Sequence, residues 1–506
     1  MRLGIDVATI PDPPDGYLRS FLTRDEIEVH LLMPEGQTEP PAGWAGLLDK
    51  PILHTVNFTT VADAGRFGDA AEFHVTTKSE EEEGWSIARF FPVYQQLDEQ
   101  TAPNGDPALE LDERHLAAAY AAGAGAVAVD AIVTNRATAS RTAVADNDIV
   151  IAVTPEDAVA LIGHYLRVTS NPIVNVEVSQ LLGGGILTTT ESTGTVVNSY
   201  LWGVTSAMPY FDVSVELIGA AQGGPKVAEA LQSVHVRLAR AARAFDHMLA
   251  ALSNPLNKRK ADVVEAAAEA FDRELLYLSA AFDIYGRLYR TLIDPSINMD
   301  DVRDSLDSRV FIAKHLRPQY DASLLGDIVR LQVYSWVCKQ LRNHIHQGIL
   351  QVVPQSGRQY GNATTIALML AGIPELAPGA DNGMQQDHYD ALGVWMADPV
   401  NPFGTPAMVA DLATAGFALM GAALEYVEAF TKLILRNKPA ASIALEQTAG
   451  EQDSSDDADA GDAGAAQPPS RFLGCVQAQP GEVEPPPPEK AKFHRAIFGW
   501  HPASMT

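Results

Sequence analysis

Oxygen-bearing side chains follow or open three elements in the N-terminal third of the chain. Asp6 lies in or at the end of a strand-like stretch, Asp112 opens an Ala-rich helix, and Thr134 and Asn135 end a β-branched strand. In a parallel α/β sheet, ligands gather at the carboxyl ends of the strands, and Mg²⁺ and Mn²⁺ prefer oxygen ligands. Carboxylates from different elements that meet at such an edge could therefore hold Mg²⁺ or Mn²⁺, and Asp6 and Asp112 are the candidates here.

A metal ion held there could activate water for phosphodiester hydrolysis, which makes Asp6 and Asp112 candidate catalytic residues. An ordinary structural interpretation stays open beside this one. Asp112 could simply cap its helix and Asn135 could be a turn residue, and helix caps are far commoner than metal ligands.

A second pair of candidate catalytic residues, Arg342 and His346, lies late in an amphipathic helix. Their spacing of four residues places them on one helix face. Arg can stabilise phosphate charge and His can transfer protons, which are the two functions that metal-free RNA cleavage requires. The alternative is a polar helix end that Gly348 terminates.

Arginines recur every three residues at Arg237, Arg240 and Arg243, and a basic run at 258–260 follows. This basic concentration could bind RNA phosphates or an acidic partner, including the chain's own segment 451–462. A solvated helix face is the plainer interpretation.

The elements that would position these residues divide the chain into an α/β part and an all-α part. Alternating strand-like and helix-like stretches over residues 1–170 predict a parallel sheet. Thr154 before Pro155, with acids in the next turn, predicts a well-capped helix start. The strands are predicted at 2–10, 52–61, 72–77, 126–134 and 148–154, and the helices at 112–124 and 155–168.

Residues 171–224 are β-prone and Gly-punctuated, which suggests a hairpin or an irregular connector. Apolar residues then recur at three- and four-residue spacing over 225–445, which predicts a helical bundle. Its helices are predicted at 225–252, 257–291, 300–315, 321–353, 363–372, 385–396 and 406–436.

The acidic and Pro-rich stretch 446–490 is predicted to be a disordered linker. The aromatic residues of 491–506 could form a peptide that docks on a protein partner, or a frayed terminus.

Composition narrows the classes of function. Of the formal net charge of −28, nine acids and one Arg at 451–489 contribute −8, which leaves −20 for the rest. Such a charge argues against sequence-independent coating of nucleic acid, although a local metal pocket could still act on RNA.

The N-terminus lacks a secretory signal pattern, and no apolar run is long enough to cross a membrane. With only two cysteines, the chain is expected to be cytoplasmic and not membrane-bound.

The stretches "LDERHLAAAYAAG", "DAIVTNR" and "DIVIAVTPEDAVALI" within residues 110–168, with "LGIDVATI" near the start, resemble a PIN domain. This fold belongs to many metal-dependent ribonucleases and toxins of toxin–antitoxin pairs. The resemblance implies that Asp6, Asp112 and Asn135 occupy metal-site positions, with Thr134 supporting the pocket. It leaves the family's second acid open among Glu26, Glu28, Glu35 and Glu39.

The helix around Arg342 and His346 resembles a HEPN domain, a helical bundle whose ribonuclease members carry an Arg and a His near a helix end. That resemblance implies a homodimer through the helical domain, because HEPN-like sites are typically formed by dimers. Together, the two resemblances imply an RNA-directed protein, whose enzyme form would be a metal-dependent endoribonuclease of a defence or toxin type. A catalytically inactive PIN/HEPN-like scaffold or interaction protein is the alternative.

Overall fold

The computed structural model divides the chain into two compact units. The first comprises Met1–Leu166 with Gln359–Ala363, and the second comprises Arg167–Arg358 with Thr364–Thr506. Within them, the structure describes residues 1–14, 16–34, 36–48, 52–61, 70–78, 83–90, 127, 129–136, 151–170, 175–177, 187–189, 195–212, 214, 224–253, 261–294, 296–356, 364–380, 382–398 and 405–436. The predicted helix 112–124, the linker 446–490 and the peptide 491–506 lie outside these residues.

The first unit is built on a seven-stranded mixed sheet of order β5-β4-β3-β2-β1-β6-β7. Among the described residues, β3, β2, β1, β6 and β7 run parallel, and β4 and β5 extend the sheet antiparallel. The predicted parallel sheet is therefore present. The strands are β1 (Arg2–Asp6), β2 (Glu28–Pro34), β3 (Ile52–Val61), β4 (Ala70–Lys78), β5 (Glu83–Phe90), β6 (Ala131–Val133) and β7 (Ile151–Val153).

The central strand β1 is buried on both faces, as an unbroken apolar run in a parallel sheet requires. Leu3 and Ile5 are buried. A Cβ atom on Gly4 would lie 3.3 Å from Leu32 Cδ1 and 3.4 Å from Val129 Cγ2. A glycine at this position therefore lets neighbouring side chains close over the strand that carries Asp6.

Three helices of this unit are described: α1 (Gly16–Leu22), α2 (Ala42–Leu47) and α3 (Pro155–Val168), of which the last reaches the boundary with the second unit. The predicted start of α3 is confirmed. The backbone N–H of Asp157 donates to Thr154 Oγ1 at 3.1 Å, and the Thr154 hydroxyl donates to Asp157 Oδ2 at 2.8 Å. Thr154 thus satisfies one of the N–H groups that a helix start leaves unpaired.

The second unit contains the predicted long helices together with a sheet. The helices are α4 (Thr195–Ala207), α5 (Gly224–Leu252), α6 (Ala261–Ile293), α7 (Arg309–Phe311, continued by a π-helical turn Ile312–Leu316), α8 (Gly326–Gln347), α9 (Gln386–Ala391) and α10 (Leu412–Arg436). Short 3₁₀ turns lie at Met299–Asp301, Ala322–Leu324 and Pro374–Leu376.

The expectation of an all-α second part is wrong. Four antiparallel strands form a sheet of order β10-β11-β13-β12: β10 (Val352–Ser356), β11 (Thr364–Met369), β12 (Val394–Ala397) and β13 (Ala407–Asp411). β11 therefore replaces the helix predicted at 363–372, β12 ends the one at 385–396, and β13 begins the one at 406–436. Short apolar runs fit strand and helix alike, and the pairing partner decides between the two.

Two other boundaries also differ from the prediction. Residues 300–315 form a 3₁₀ turn, an extended stretch and the short α7 instead of one helix. In the predicted connector, the hairpin is present as β8 (Asn175–Glu177) paired with β9 (Leu187–Thr189). The connector also contains the helix α4, which was not predicted because its sequence is rich in Thr and Val.

No helix among the described residues has the length and apolarity needed to cross a membrane.

Candidate functional site

The site lies at the carboxyl ends of β1 and β6, where the order of the parallel strands reverses. From β1, the chain places β2 and β3 on one side and β6 and β7 on the other. Backbone bonds continue past both strand ends, from Val7 N to Leu32 O at 3.1 Å and from Thr134 N to Val153 O at 3.0 Å. Ligands of open α/β sheets bind in the crevice at such a switch point.

Asp6 is the centre of this site. It is fully buried, and its Oδ2 atom accepts hydrogen bonds from Thr9 Oγ1 at 3.0 Å, Thr134 Oγ1 at 2.8 Å and Arg136 Nε at 2.9 Å. The two hydroxyl groups fix the carboxylate, and the guanidinium group balances its charge.

The other carboxylate oxygen, Asp6 Oδ1, is buried without a hydrogen-bond partner among the described residues. Leaving a buried acceptor unpaired costs about 1–3 kcal/mol, so such an atom is typical of a place where an ion, a water molecule or a ligand binds. An oxygen-seeking cation is a chemically suitable partner for this atom.

Asn135 closes the site from the loop after β6. Its backbone N–H donates to Thr9 Oγ1 at 3.1 Å, and its side-chain Nδ2 donates to Thr9 O at 3.1 Å. The loop after β1 is held in turn by Trp44, whose Nε1 donates to Ile10 O at 3.0 Å. The structure thus brings Asp6, Thr134 and Asn135 together, as their strand-end positions predicted.

Asp112 lies outside the described residues, so its predicted place at the metal site is neither supported nor opposed by geometry. Among the residues that the structure does describe, no group of three His, Cys, Asp or Glu side chains could hold a metal ion. Asp112 stays the second carboxylate that the sequence predicts for this site.

The PIN resemblance left four glutamates open as a second acidic ligand of the metal site, and their positions in the structure narrow that choice. Glu26 is paired with Arg24 at 2.9 Å, and Glu28 faces Arg2 at the start of β1, about 13 Å of strand away from Asp6. Glu35 lies outside the described residues. Glu39 is exposed beyond the carboxyl end of β2, which is the edge of the sheet where Asp6 lies.

Arg136 is the site residue that sequence reasoning missed. It directly follows Thr134 and Asn135 in "VTNR", and its backbone N–H donates to Thr134 Oγ1 at 3.1 Å. Its adjacency to two predicted residues was the available signal.

The second pair of candidate catalytic residues, Arg342 and His346, lies on α8 of the second unit. Arg342 Nη2 lies 4.0 Å from Asp307 Oδ2, while Lys339 Nζ donates to Asp307 Oδ1 at 2.8 Å. Asp307 is fully buried, and that burial raises the pKa of its carboxyl group. His346, one turn further along α8, is exposed. Arg342 therefore lies beside an internal carboxylate of its own unit, whereas His346 faces solvent.

The three regularly spaced arginines, Arg237, Arg240 and Arg243, lie on α5. Arg237 is half-buried and its Nε donates to Ser233 Oγ at 3.3 Å. Arg240 and Arg243 are exposed, and the Arg240 guanidinium lies 5.9 Å from the ring centroid of Tyr277. Two of the three arginines are thus available at the surface of this helix.

A buried histidine pair in the first unit was not predicted. His30 Nδ1 and His54 Nε2 are 2.7 Å apart, His30 Nε2 lies 2.8 Å from Glu28 Oε1, and His54 Nδ1 lies 2.9 Å from Thr77 Oγ1. An ionised Glu28 can only accept, so the neutral chain runs in one direction, with Thr77 donating to His54, His54 to His30 and His30 to Glu28. All four groups are satisfied when both rings are neutral.

We expect this pair to make the first unit sensitive to acid. Burial, followed by the charge of His30, lowers the pKa of His54 from 6.5 to about 4. Since the unfolded chain binds the proton more readily, stability is complete above pH 6.5 and falls as the pH drops towards 4. The loss should reach about 3 kcal/mol. Hydrogen exchange of β2 and β3 amides across this range measures it.

The control for this experiment is His164, a half-buried histidine on α3 in the same unit. His54→Gln, which can still donate to His30 and accept from Thr77, should flatten the acid loss, whereas His164→Gln should leave it unchanged. An identical acid profile in wild type and His54→Gln would contradict the assignment.

Comparison of the chain with models of protein families, with curated proteins and with solved structures gave no match.

Proposed function

We propose that the first unit is a divalent-metal-dependent endoribonuclease whose reaction centre is Asp6. The observation that carries this proposal is the buried Oδ1 atom of Asp6, which has no hydrogen-bond partner among the described residues at the switch point of the sheet. The resemblance of "LGIDVATI" and "DAIVTNR" to a PIN domain supplies the reaction class.

The residues of the site fit a hard cation in their donor chemistry. Asp6 Oδ1 would be a ligand, with Asp112 as the proposed second carboxylate and the Asn135 amide oxygen as a further donor. Mg²⁺ or Mn²⁺ in such a site supplies a water molecule of lowered pKa. Thr9 and Thr134 keep the Asp6 carboxylate oriented through their bonds to Oδ2, and Arg136 offers a guanidinium group for a phosphate.

Under this proposal, the protein binds RNA and acts in the cytoplasm.

For the second unit, we infer that Arg342 has a structural function, because it contacts Asp307 within its own unit. Arg240 and Arg243 are proposed as contacts for RNA phosphates, and their replacement should reduce RNA affinity in a salt-dependent way. A homodimer through the second unit would be needed only if Arg342 and His346 were catalytic.

A non-catalytic scaffold is the second candidate function. The observation in its favour is the ion pair of Arg136 with Asp6, whose side chains are 10% and 0% exposed. A pair of this kind already neutralises the carboxylate, which a purely structural site would need.

The variant Asp6→Asn tests whether the first unit is a metal-dependent nuclease or a non-catalytic scaffold. We expect it to abolish Mn²⁺-dependent RNA cleavage and the rise of melting temperature that Mn²⁺ causes in wild type, because the amide lacks the charge that holds the ion. Asp112→Asn should have the same effect on cleavage. The control is Asp130→Asn, an exposed carboxylate of the same unit that accepts from the Arg2 backbone, and this variant should retain both properties.

Three results separate the two functions. A wild-type protein that shows neither cleavage nor a Mn²⁺-dependent melting shift would favour the scaffold. A melting shift without cleavage would show a metal-binding protein that lacks nuclease activity. Cleavage that survives Asp6→Asn would contradict the proposed site.

A further inference from the structure

We infer that Arg136 is a built-in competitor of the metal ion, and that a phosphodiester group releases Asp6 by drawing the guanidinium away. Metal binding and substrate binding would then be coupled through one side chain. This inference rests on the proposed function, since it concerns regulation of the same site.

The geometry places the guanidinium on the carboxylate that the metal needs. Arg136 Nε lies 2.9 Å from Asp6 Oδ2, and both side chains are almost entirely removed from solvent. A divalent ion bound by Oδ1 would share this one carboxyl group with the guanidinium. Two cations so close, in a site with little water to screen them, repel each other strongly.

The carboxylate does not depend on Arg136 for its orientation. Thr9 Oγ1 and Thr134 Oγ1 both bond Oδ2 and would keep doing so after the guanidinium left. The Arg136 backbone is held separately, by its N–H bond to Thr134 Oγ1. Only the side chain has to move, and its main-chain anchor stays at the carboxyl end of β6.

Arginine is suited to the exchange because its planar fork binds carboxylate and phosphate oxygens in similar geometry. A phosphodiester at the switch point offers the guanidinium a replacement anion while the metal takes over the charge of Asp6. The expected consequence is positive coupling, in which phosphodiester binding tightens Mn²⁺ binding and, by linkage, Mn²⁺ tightens phosphodiester binding.

The first measurement compares Mn²⁺ affinity of three proteins from the loss of the electron paramagnetic resonance signal of free Mn²⁺. Arg136→Gln should bind Mn²⁺ at least about tenfold more tightly than wild type, which corresponds to about 1.4 kcal/mol. The matched control is Arg2→Gln, which removes an arginine from the opposite end of β1, where it lies 3.6 Å from Glu28. That control should leave the affinity unchanged.

The second measurement uses wild type and therefore holds even if Arg136→Gln does not fold. The probe is dimethyl phosphate, a phosphodiester anion that resists hydrolysis, and its neutral control is trimethyl phosphate at matched ionic strength. Dimethyl phosphate should tighten Mn²⁺ binding of wild type about threefold, and trimethyl phosphate should not. In folded Arg136→Gln, the effect of dimethyl phosphate should disappear.

The outcomes keep the two proposals apart. Equal Mn²⁺ affinity in wild type and Arg136→Gln, with no effect of dimethyl phosphate, would overturn the competitor and leave the metal site standing. A failure of both proteins to bind Mn²⁺ at all would overturn the proposed function and, with it, the inference.

Discussion

Replacing Asp246 by Ala should lower the free energy of unfolding of the second unit by about 3–5 kcal/mol, the usual cost of removing one partner of a buried ion pair. Arg167 Nε lies 2.6 Å from Asp246 Oδ2, and a second Arg167 nitrogen lies 3.2 Å from Oδ1. Tyr200 OH donates to Oδ2 at 2.8 Å. The Arg167 and Asp246 side chains are 2% and 1% exposed.

The loss follows from what remains after the change. The Arg167 guanidinium would keep its charge in a buried place without the Asp246 carboxylate, and the Tyr200 hydroxyl would lose its bond to that carboxylate. Burial, with the nearby Asp246 charge, raises the pKa of Tyr200, so its hydroxyl stays protonated as a donor. Within the second unit, the cluster connects Arg167 to α4 and α5, so the break should affect the packing of these two helices.

Urea unfolding followed by hydrogen exchange of α5 amides measures this effect. Tyr200→Phe is the matched control, since it removes one hydrogen bond and should cost only about 1 kcal/mol. The double variant Arg167→Met with Asp246→Leu removes both charges and should recover most of the loss. A loss below about 1 kcal/mol for Asp246→Ala would contradict the buried pair.

The part of the fold that the sequence predicted is the part in which local signals agree with the tertiary pairing. The buried apolar run of β1 and the cap at Thr154 are both local, and both are present in the structure. The stretches that became β11 and β13 have apolar residues at spacings that also suit a helix. Their state is decided by strand neighbours at Ala367–Asp411 and Met369–Val409, which no local pattern contains.

The candidate site, like the fold, has one part that the sequence predicted and another part that it did not. Asp6, Thr134 and Asn135 could be predicted to meet, because the carboxyl ends of neighbouring parallel strands lie at one edge of a sheet. The pairing of Arg136 with Asp6 could not, since it depends on which atom of the neighbouring strand β1 a long side chain beyond β6 reaches. The His30–His54 contact likewise depends on the register between β2 and β3.

A buried glutamate on α6 provides the last large effect. Glu274 is fully buried, and neither of its carboxylate oxygens has a hydrogen-bond partner among the described residues. A Cβ atom on Gly416 of α10 would lie 3.2 Å from Glu274 Oε2 and 2.5 Å from Met248 Cε. Burial raises the pKa of Glu274 well above 4.5, because an unpaired charge in apolar surroundings is strongly disfavoured.

The stability of the second unit should therefore fall as the pH rises. Below pH 4.5 the carboxyl group is protonated in both the folded and unfolded states. Above it the unfolded chain releases the proton that the folded unit must keep, so the penalty grows until the folded group ionises. Between pH 5 and pH 7 the destabilising contribution of Glu274 should grow steadily as the pH rises. Glu274→Gln should remove this dependence, whereas Glu269→Gln, an exposed glutamate of the same helix, should keep it. Hydrogen exchange of α6 amides across this range is the measurement, and a profile that Glu274→Gln leaves unchanged would show that the carboxyl group is already paired or ionised in the folded unit.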